Sequence, residues 1–161
     1  MLEYPVDLRP DGEGGFVVTL PDIPGAVTEG ADRAEALAQA RQCARAMLSV
    51  LVEDREPIPL PGPADGRPTV RLPVLDEIKI QLYLAMRAHG VSQAELGRRL
   101  GRDRKEVFRL LDLTYVSKLP QIEEALAALG REARIEVVAT TTEDAQPAAE
   151  ATADGRASPL A

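Results

Sequence analysis

Cysteine and histidine each occur only once in this sequence, as Cys43 and His89, and tryptophan does not occur at all. A single cysteine excludes an internal disulfide bond, and one cysteine with one histidine is too few for the ligands of a structural zinc site. Aromatic residues make up only 3% of the chain, so we expect a core of Leu, Val, Ile and Ala side chains. We therefore expect a protein that holds no metal ion and no cofactor.

Long apolar runs are also missing. No segment approaches the roughly 20 uncharged apolar residues that span a bilayer, and the N-terminus lacks a basic stretch followed by an apolar one. The apolar fraction of 45% is nevertheless sufficient for a packed core in a chain of 161 residues. These features predict a globular cytoplasmic protein with no membrane partner.

The charge of −7 is distributed unevenly along the chain. Residues 1–66 carry 5 basic and 12 acidic side chains, residues 67–138 carry 13 basic and 10 acidic ones, and residues 139–161 carry 1 basic and 4 acidic ones. A positive segment in an acidic chain is expected where only one part of the protein meets nucleic-acid phosphate. The acidic segment either repels DNA, meets a basic partner, or is simply a solvated surface.

The N-terminal part of the chain predicts four short strands and one long helix. The strands are expected at residues 4–8, 15–20, 26–28 and 69–72, from their β-branched residues and from the glycines and prolines between them. The helix is expected from Asp32 to about Asp54, where apolar residues recur at three and four positions and Asp32 with Glu35 predicts a capping box. The order is therefore βββαβ.

The remainder of the chain predicts an all-α segment that ends in a strand. Apolar spacing predicts helices at residues 73–90 and 120–129, two shorter helices between them, and a strand at residues 133–138. Everything after residue 139 is too polar to pack and is predicted to be disordered. The fold class is α+β, with a βββαβ module at residues 1–73, an all-α domain with a C-terminal strand at residues 74–138, and a tail at residues 139–161.

The stretch from Gln93 to Leu111 predicts a helix-turn-helix. Capping boxes of Ser92 with Glu95, and of Asp103 with Glu106, start its two helices. Gly97 is small enough to let the second helix approach the first, and Gly101 supplies the positive φ of the turn. The inner face of the second helix is formed by three apolar residues, Val107, Leu110 and Leu111.

The outward residues of this motif are suited to double-stranded DNA, since a recognition helix turns such positions towards base edges and phosphates. The predicted DNA-binding residues are Gln93, Arg102, Arg104, Lys105, Phe108 and Arg109. The same geometry also occurs in helical bundles that do not bind DNA, where arginines belong to a solvated face. Phe108 is unusual at an exposed position, and it either contacts a thymine methyl group or packs against a neighbouring helix.

Short sequence motifs carry a resemblance to the HicB antitoxin family. They are PDIPG at residues 21–25, EG at 29–30, EALAQA at 35–40 and IPLP at 58–61. The chain departs from the family pattern at Ala26, where family members often have cysteine, and we expect Ala26 to be a packing residue. The resemblance implies that the βββαβ module is related to a degraded ribonuclease H fold and that the second domain is a helix-turn-helix of the Xre/Cro type.

The resemblance also implies a function. It implies an antitoxin of a type II toxin-antitoxin system that binds and neutralises a HicA-like, mRNA-cleaving toxin and represses its own operon by binding operator DNA. The toxin-binding residues are unknown, with Asp22, Pro24 and Glu29 as candidates in the N-terminal module. The acidic excess of this module agrees with a basic partner, because opposite charges accelerate encounter. An alternative is a free-standing HicB-like transcription regulator whose N-terminal module senses a ligand or another protein.

Ribonuclease H chemistry needs carboxylates that converge on two metal ions. The acidic residues of this module have no convincing spacing for it, so we expect no enzymatic activity.

A helix-turn-helix protein normally pairs across a palindrome, which predicts a homodimer or tetramer that is nucleoid-associated when bound to its operator. The strand at 135–138 pairs with its twin in a second subunit or docks on its own domain.

Overall fold

The computed structural model describes residues 2–137 and contains five strands and five helices within that range. The mixed α+β class predicted from the sequence is confirmed, whereas the predicted disorder of residues 139–161 lies outside the described residues. The strands are β1 (Glu3–Pro5), β2 (Asp7–Pro10), β3 (Phe16–Thr19), β4 (Val27–Gly30) and β5 (Thr69–Arg71), and the helices are α1 (Arg33–Glu53), α2 (Val74–Ala88), α3 (Gln93–Leu100), α4 (Arg104–Leu111) and α5 (Leu119–Ala127).

The first predicted strand is divided in two at Val6. Strands β2, β3 and β4 form an antiparallel sheet in that order, and β1 pairs antiparallel with β5. The buried Val6 lies between β1 and β2, and its N–H donates to the Pro68 carbonyl at 2.9 Å. One passage of chain therefore serves both sheets, because it pairs with β5 before Val6 and with β3 after it.

Helix α1 lies on the three-stranded sheet through its smallest side chains. Ala36, Ala40 and Ala44 are fully buried, and α1 contacts both β3 and β4. Asp32 caps the helix by accepting from the Glu35 N–H at 2.8 Å, while the Glu35 carboxylate accepts from the N–H of Ala31. The predicted capping box is therefore half formed, because Glu35 bonds one residue upstream of the cap.

Helix α2 joins the two parts of the chain. It contacts α1 on one side and both α4 and α5 on the other. Its Tyr83 hydroxyl donates to the Glu56 carbonyl at 2.7 Å, and its Glu77 carboxylate accepts from the Leu2 N–H at 3.0 Å. The buried apolar residues form one contiguous core that extends from Leu2 to Leu129. The division of the chain into domains at residue 73 stays a prediction.

The C-terminal strand predicted at residues 133–138 is not observed in the described part of that segment. Residues 131–137 have no strand pairing with any other residue between 2 and 137, and residue 138 lies outside the described range. Ile135 is 53% exposed and Val137 is 93% exposed, while Ala133 packs against the core. The prediction from alternating residues is wrong for the single chain, because a strand forms only beside an edge with which it can exchange hydrogen bonds.

Within residues 2–137, none of the helices combines the length and the apolar character needed to cross a bilayer.

A buried tyrosine gives the fold a specific dependence on alkaline pH. The Tyr4 hydroxyl donates to the Pro59 carbonyl at 2.9 Å, and burial raises its pKa from 10.0 to about 12, with further contributions from Asp22 and Glu77. The Tyr4 hydroxyl loses its proton at a lower pH in the unfolded chain than in the folded one. The stability contributed by neutral Tyr4 is therefore complete below pH 10 and is lost as pH rises through about 12.

We expect Tyr4→Phe to lower the free energy of unfolding by about 1 kcal/mol at neutral pH, since it removes one partly buried hydrogen bond. We also expect the difference between the two proteins to shrink as pH rises from 10 towards 12. Urea unfolding of both proteins across this pH range measures the difference in their free energies of unfolding. A difference that stays constant with pH would contradict the assignment.

Candidate functional site

Helices α3 and α4 form a compact pair that is closed by two glycines. Gly101 ends α3 with φ of 62°, in the left-handed region. A Cβ atom at Gly97 would lie 2.9 Å from the Arg102 carbonyl oxygen and 3.4 Å from Val107 Cγ2. Glycine at this position therefore lets the turn and α4 approach the α3 backbone, as the sequence predicted.

The two caps of this pair differ. Asp103 and Glu106 make the complete reciprocal box, with Asp103 accepting from the Glu106 N–H at 2.8 Å and Glu106 accepting from the Asp103 N–H at 3.0 Å. Ser92 Oγ accepts from the Glu95 N–H at 3.1 Å, but the Glu95 carboxylate turns to Arg99 and Arg98. The hydrogen bond from Arg99 and the charges of both arginines lower the pKa of Glu95. The predicted Ser92 box is thus half formed, because the arginines compete for the carboxylate.

Four of the six predicted DNA-binding residues lie together. Gln93, Arg104, Lys105 and Phe108 line one groove of about 490 Å³. The opposite wall of this groove is the C-terminal end of α1 and the residues after it, including Val52, Glu53 and Arg55. Phe108 is 44% exposed and shares the groove with Val52, so its surroundings include a neighbouring helix.

Arg104 and Lys105 are the exposed cations that α4 contributes to this groove. Both precede the apolar positions of α4 and lie in its first turn. Neither has an ion-pair partner among residues 2–137, in contrast to Arg98 and Arg99, which share Glu95. Cations without a carboxylate partner are available to an external anion, and the dipole of a helix favours an anion at this end.

The other two predicted residues are engaged within the protein. Arg102 pairs with Glu124 of α5 at 2.5 Å, and its side chain is only 18% exposed. Arg109 lies with its guanidinium carbon 5.0 Å from the centre of the Tyr115 ring. The spacing of residues within the helix pair could not predict these contacts, because both partners belong to the chain that follows α4.

A second groove, of about 790 Å³, is lined by residues of α2 and of the helix pair and is markedly basic. It shares Arg55, Gln93 and Arg104 with the first groove. The arginines that it adds are Arg87 of α2 together with Arg98 and Arg102. Arg87 of α2 donates to the Arg55 carbonyl at 2.6 Å, which holds these two residues at the groove. Sequence reasoning missed both, since neither belongs to the segment from Gln93 to Leu111.

The chain that follows α4 is held by a buried lysine. Lys79 of α2 is 1% exposed, and its Nζ donates to the carbonyls of Arg109, Asp112 and Tyr115. Burial lowers the Lys79 pKa, although the nearby Asp112 and Asp76 favour the charged form. The apolar spacing that predicted a helix at residues 73–90 did not point to Lys79. The signal in the sequence is a lysine placed between Ile78 and Ile80.

A second buried charge connects this region with the N-terminal strands. Asp76 is 3% exposed and accepts from Arg45 Nε at 2.5 Å. Arg45 belongs to α1, and its Nη2 also donates to the Leu113 carbonyl. One side chain of the sheet-covering helix therefore contacts both α2 and the segment after α4.

The predicted toxin-binding candidates are placed differently from one another. Asp22 is half-buried and accepts from the Gly62 N–H at 2.9 Å, so it joins two loops. Pro24 and Glu29 are exposed, and Glu29 lies on β4, an edge strand of the three-stranded sheet. Val27, also on β4, is 58% exposed, whereas Ala26 is buried as expected from its position in the motif.

Comparison with known proteins agrees on one family. Residues 3–81 match the family described as HicB_like antitoxin of bacterial toxin-antitoxin system. Antitoxin HicB of Escherichia coli (strain K12) is 35% identical over 138 residues, which cover 85% of this chain and 100% of that protein. Antitoxin HicB 2 of Photorhabdus laumondii is 38% identical over 138 residues, which cover 86% of this chain and 96% of that protein.

A third relative is also similar over most of its length. Antitoxin HicB 1 of Photorhabdus laumondii is 35% identical over 136 residues, covering 84% of this chain and 87% of that protein. The similarity therefore extends beyond the strands and α1 into the helical part of the chain, including α3 and α4.

The role of Lys79 leads to a stability prediction. We expect Lys79→Met to lower the free energy of unfolding by about 3 kcal/mol, because it leaves three partly buried carbonyl oxygens without their donor. Lys105→Met, which removes the same charge from an exposed position, should change stability by less than about 0.5 kcal/mol. Urea unfolding measures both, and equal effects of the two substitutions would contradict the structural role of Lys79.

Proposed function

The chain belongs to the HicB-like family of antitoxins of bacterial toxin-antitoxin systems, and from this premise we propose two connected activities. Its N-terminal module binds and neutralises a small, basic, HicA-like toxin that cleaves messenger RNA. Its α3–α4 pair acts as a helix-turn-helix of the Xre/Cro type that binds operator DNA and represses the operon encoding both proteins. A dimer or larger even assembly places two such helix pairs on one palindrome.

The DNA-binding part of the proposal rests on the exposure of Arg104 and Lys105 and on their lack of an ion-pair partner within residues 2–137. They are exposed in the first turn of α4 and have no acidic partner within residues 2–137, although acidic residues outnumber basic ones in the whole chain. Gln93 lines the same groove from the start of α3. This combination offers charge for phosphates and hydrogen-bonding groups for base edges. Arg102 and Arg109 contribute less directly, since both are engaged by the residues that follow α4.

The toxin-binding part is supported by the edge of the three-stranded sheet. Strand β4 pairs with β3 on one side only, and its exposed residues include Val27 and Glu29. An edge strand with an apolar and an acidic side chain suits a basic protein partner, and the acidic excess of residues 1–66 would accelerate encounter. We place the interface at Pro24 and Glu29 and assign Asp22 a structural role.

Catalysis has no part in this proposal. Three of the acidic residues that resemblance to ribonuclease H brings into consideration accept hydrogen bonds from backbone N–H groups: Asp11 in the first hairpin turn, Asp22 at Gly62, and Asp32 at the start of α1. These bonds give the three carboxylates structural roles.

The DNA-binding activity is tested with Arg104→Ala/Lys105→Ala. Because base contacts contribute about 1–3 kcal/mol each and phosphate contacts set the salt dependence, we expect at least tenfold weaker binding to the operon's promoter DNA and a shallower salt slope. The matched control is Arg33→Ala/Arg41→Ala, which removes two exposed cations from α1. Titrations at several salt concentrations measure both. Operator affinity unchanged in the first variant, or equally reduced in the control, would contradict the assignment of α4.

The toxin-binding activity is tested by co-expression with the product of the adjacent reading frame. We expect the full chain to capture that product and to relieve its inhibition of growth. Glu29→Arg should weaken capture, because it places a cation against a basic partner, whereas Glu123→Arg on the exposed face of α5 should not. Absence of both capture and growth rescue would remove the antitoxin proposal. DNA binding that persisted in that case would leave a free-standing regulator.

A further inference from the structure

Arg55 occupies the left-handed position at which helix α1 ends. Its N–H donates to the Val52 carbonyl at 3.2 Å. The next N–H, of Glu56, donates to the Leu51 carbonyl at 2.8 Å, and the two bonds together make a Schellman motif. The φ of Arg55 is 61°, which side chains with a Cβ atom disfavour, and after α2 the corresponding residue is Gly90 with φ of 62°. Glycine would therefore end α1 better than arginine does.

Two side chains of α2 hold the backbone of this turn. Arg87 Nη1 donates to the Arg55 carbonyl at 2.6 Å, and the Tyr83 hydroxyl donates to the Glu56 carbonyl at 2.7 Å. Arg87 Nη1 also donates to the Tyr83 hydroxyl oxygen at 3.2 Å, so the two side chains support one another. These bonds fix the end of α1 against α2 and involve only the backbone of the turn. The Arg55 side chain is left exposed.

Arg55 lies beside the starts of both helices of the α3–α4 pair. It lines the first and the second groove, and in both it is accompanied by Gln93, the first residue of α3, and Arg104, the first residue of α4. When the second helix of a helix-turn-helix enters the major groove, the first helix crosses the DNA backbone. A cation beside the starts of both helices is therefore within reach of the backbone phosphates.

The two grooves differ in charge. The carboxylates of Glu53 and Asp112 line the first groove, whereas no carboxylate from residues 2–137 lines the second. The cations of the second groove are all arginines: Arg55, Arg87, Arg98, Arg102 and Arg104. Two of them have carboxylate partners, but Arg55, Arg87 and Arg104 form no ion pair within the described part of the chain. An anion that follows the second groove meets three cations whose charge is not compensated.

We propose that Arg55 binds a phosphate group of the DNA backbone, so that the N-terminal module supplies a DNA contact outside the α3–α4 pair. The second groove is then the path of one DNA strand past the starts of α3 and α4. A phosphate contact gives affinity and orientation, not sequence preference. This role accounts for an arginine where the backbone favours glycine. The inference rests on the proposed function, because it requires DNA to be bound at α3 and α4.

Arg55→Gly separates the proposed contact from the structure of the turn. Glycine suits the left-handed backbone, so the variant should unfold at a higher urea concentration than the unaltered protein. Loss of one phosphate contact should lower the slope of log affinity against log salt by about 0.9 for each DNA-bound chain. Titration of the operon's promoter DNA at several salt concentrations measures this slope. Urea unfolding measures the stability of the same preparation.

Two further variants and a second DNA identify what is lost. Arg55→Lys keeps the charge and should keep the salt slope. Arg41→Ala is the matched control, because it removes one exposed cation of α1 that lines neither groove, and it should also keep the slope. Arg55→Gly should weaken binding to promoter DNA and to unrelated DNA by the same factor, since phosphates are common to both. Arg104→Ala/Lys105→Ala should weaken promoter binding more than unrelated binding.

The inference is overturned if Arg55→Gly keeps the original salt slope, if Arg55→Lys loses as much affinity as Arg55→Gly, or if Arg41→Ala lowers the slope equally. A lower urea midpoint in Arg55→Gly would assign the side chain to the fold and would overturn it as well. Failure of the proposed function gives a different result, in which Arg104→Ala/Lys105→Ala also leaves DNA binding unchanged. A weakened double variant beside an unaffected Arg55→Gly removes this inference alone.

Discussion

The position of α4 depends on one buried ammonium group. The last turn of α4 and the chain after it turn carbonyl oxygens towards α2, and Lys79 donates to three of them, at Arg109, Asp112 and Tyr115. Unpaired buried acceptors are costly, and a buried ammonium group without acceptors is costlier still, so each requires the other. The exposed positions of Arg104 and Lys105 follow from this constraint, because α4 can end where it does only while α2 supplies the donor.

The Arg45 and Asp76 pair extends the same constraint to the sheet. Helix α1 packs on β3 and β4 through its alanines, and Arg45 on that helix reaches both Asp76 and the Leu113 carbonyl. In the proposed function the edge strand that meets a toxin and the helix that meets DNA therefore belong to one packed body. The C-terminal end of α1 also forms a wall of the groove that contains Gln93 and Phe108. The two proposed activities share α1 at both sites.

Several departures from the sequence predictions have a common physical origin, which is competition between partners. Glu95 was predicted to complete the Ser92 cap, but Arg98 and Arg99 offer its carboxylate a full charge, and charge-assisted bonds are the stronger ones. Arg102, whose contact with DNA stays a prediction, pairs within the chain with Glu124 of α5. Local spacing identifies which groups are available to bond. It does not identify which partner is nearest after the chain has folded.

What the sequence determined by itself was local: the helices, most of the strands, the complete cap of Asp103 with Glu106, and the two glycines that close α3 against α4. These features depend on backbone conformation and on neighbours within about four residues, which the order of amino acids specifies directly. The motifs at residues 21–61 also sufficed to indicate the family that the comparisons confirm. Only the tertiary structure decided that Lys79 and Asp76 are buried, that Arg55 and Arg87 join the basic groove, and that residues 133–137 pair with no strand among residues 2–137. Each of these depends on elements distant in sequence meeting in space, because a buried charge or an unpaired strand is defined by what surrounds it.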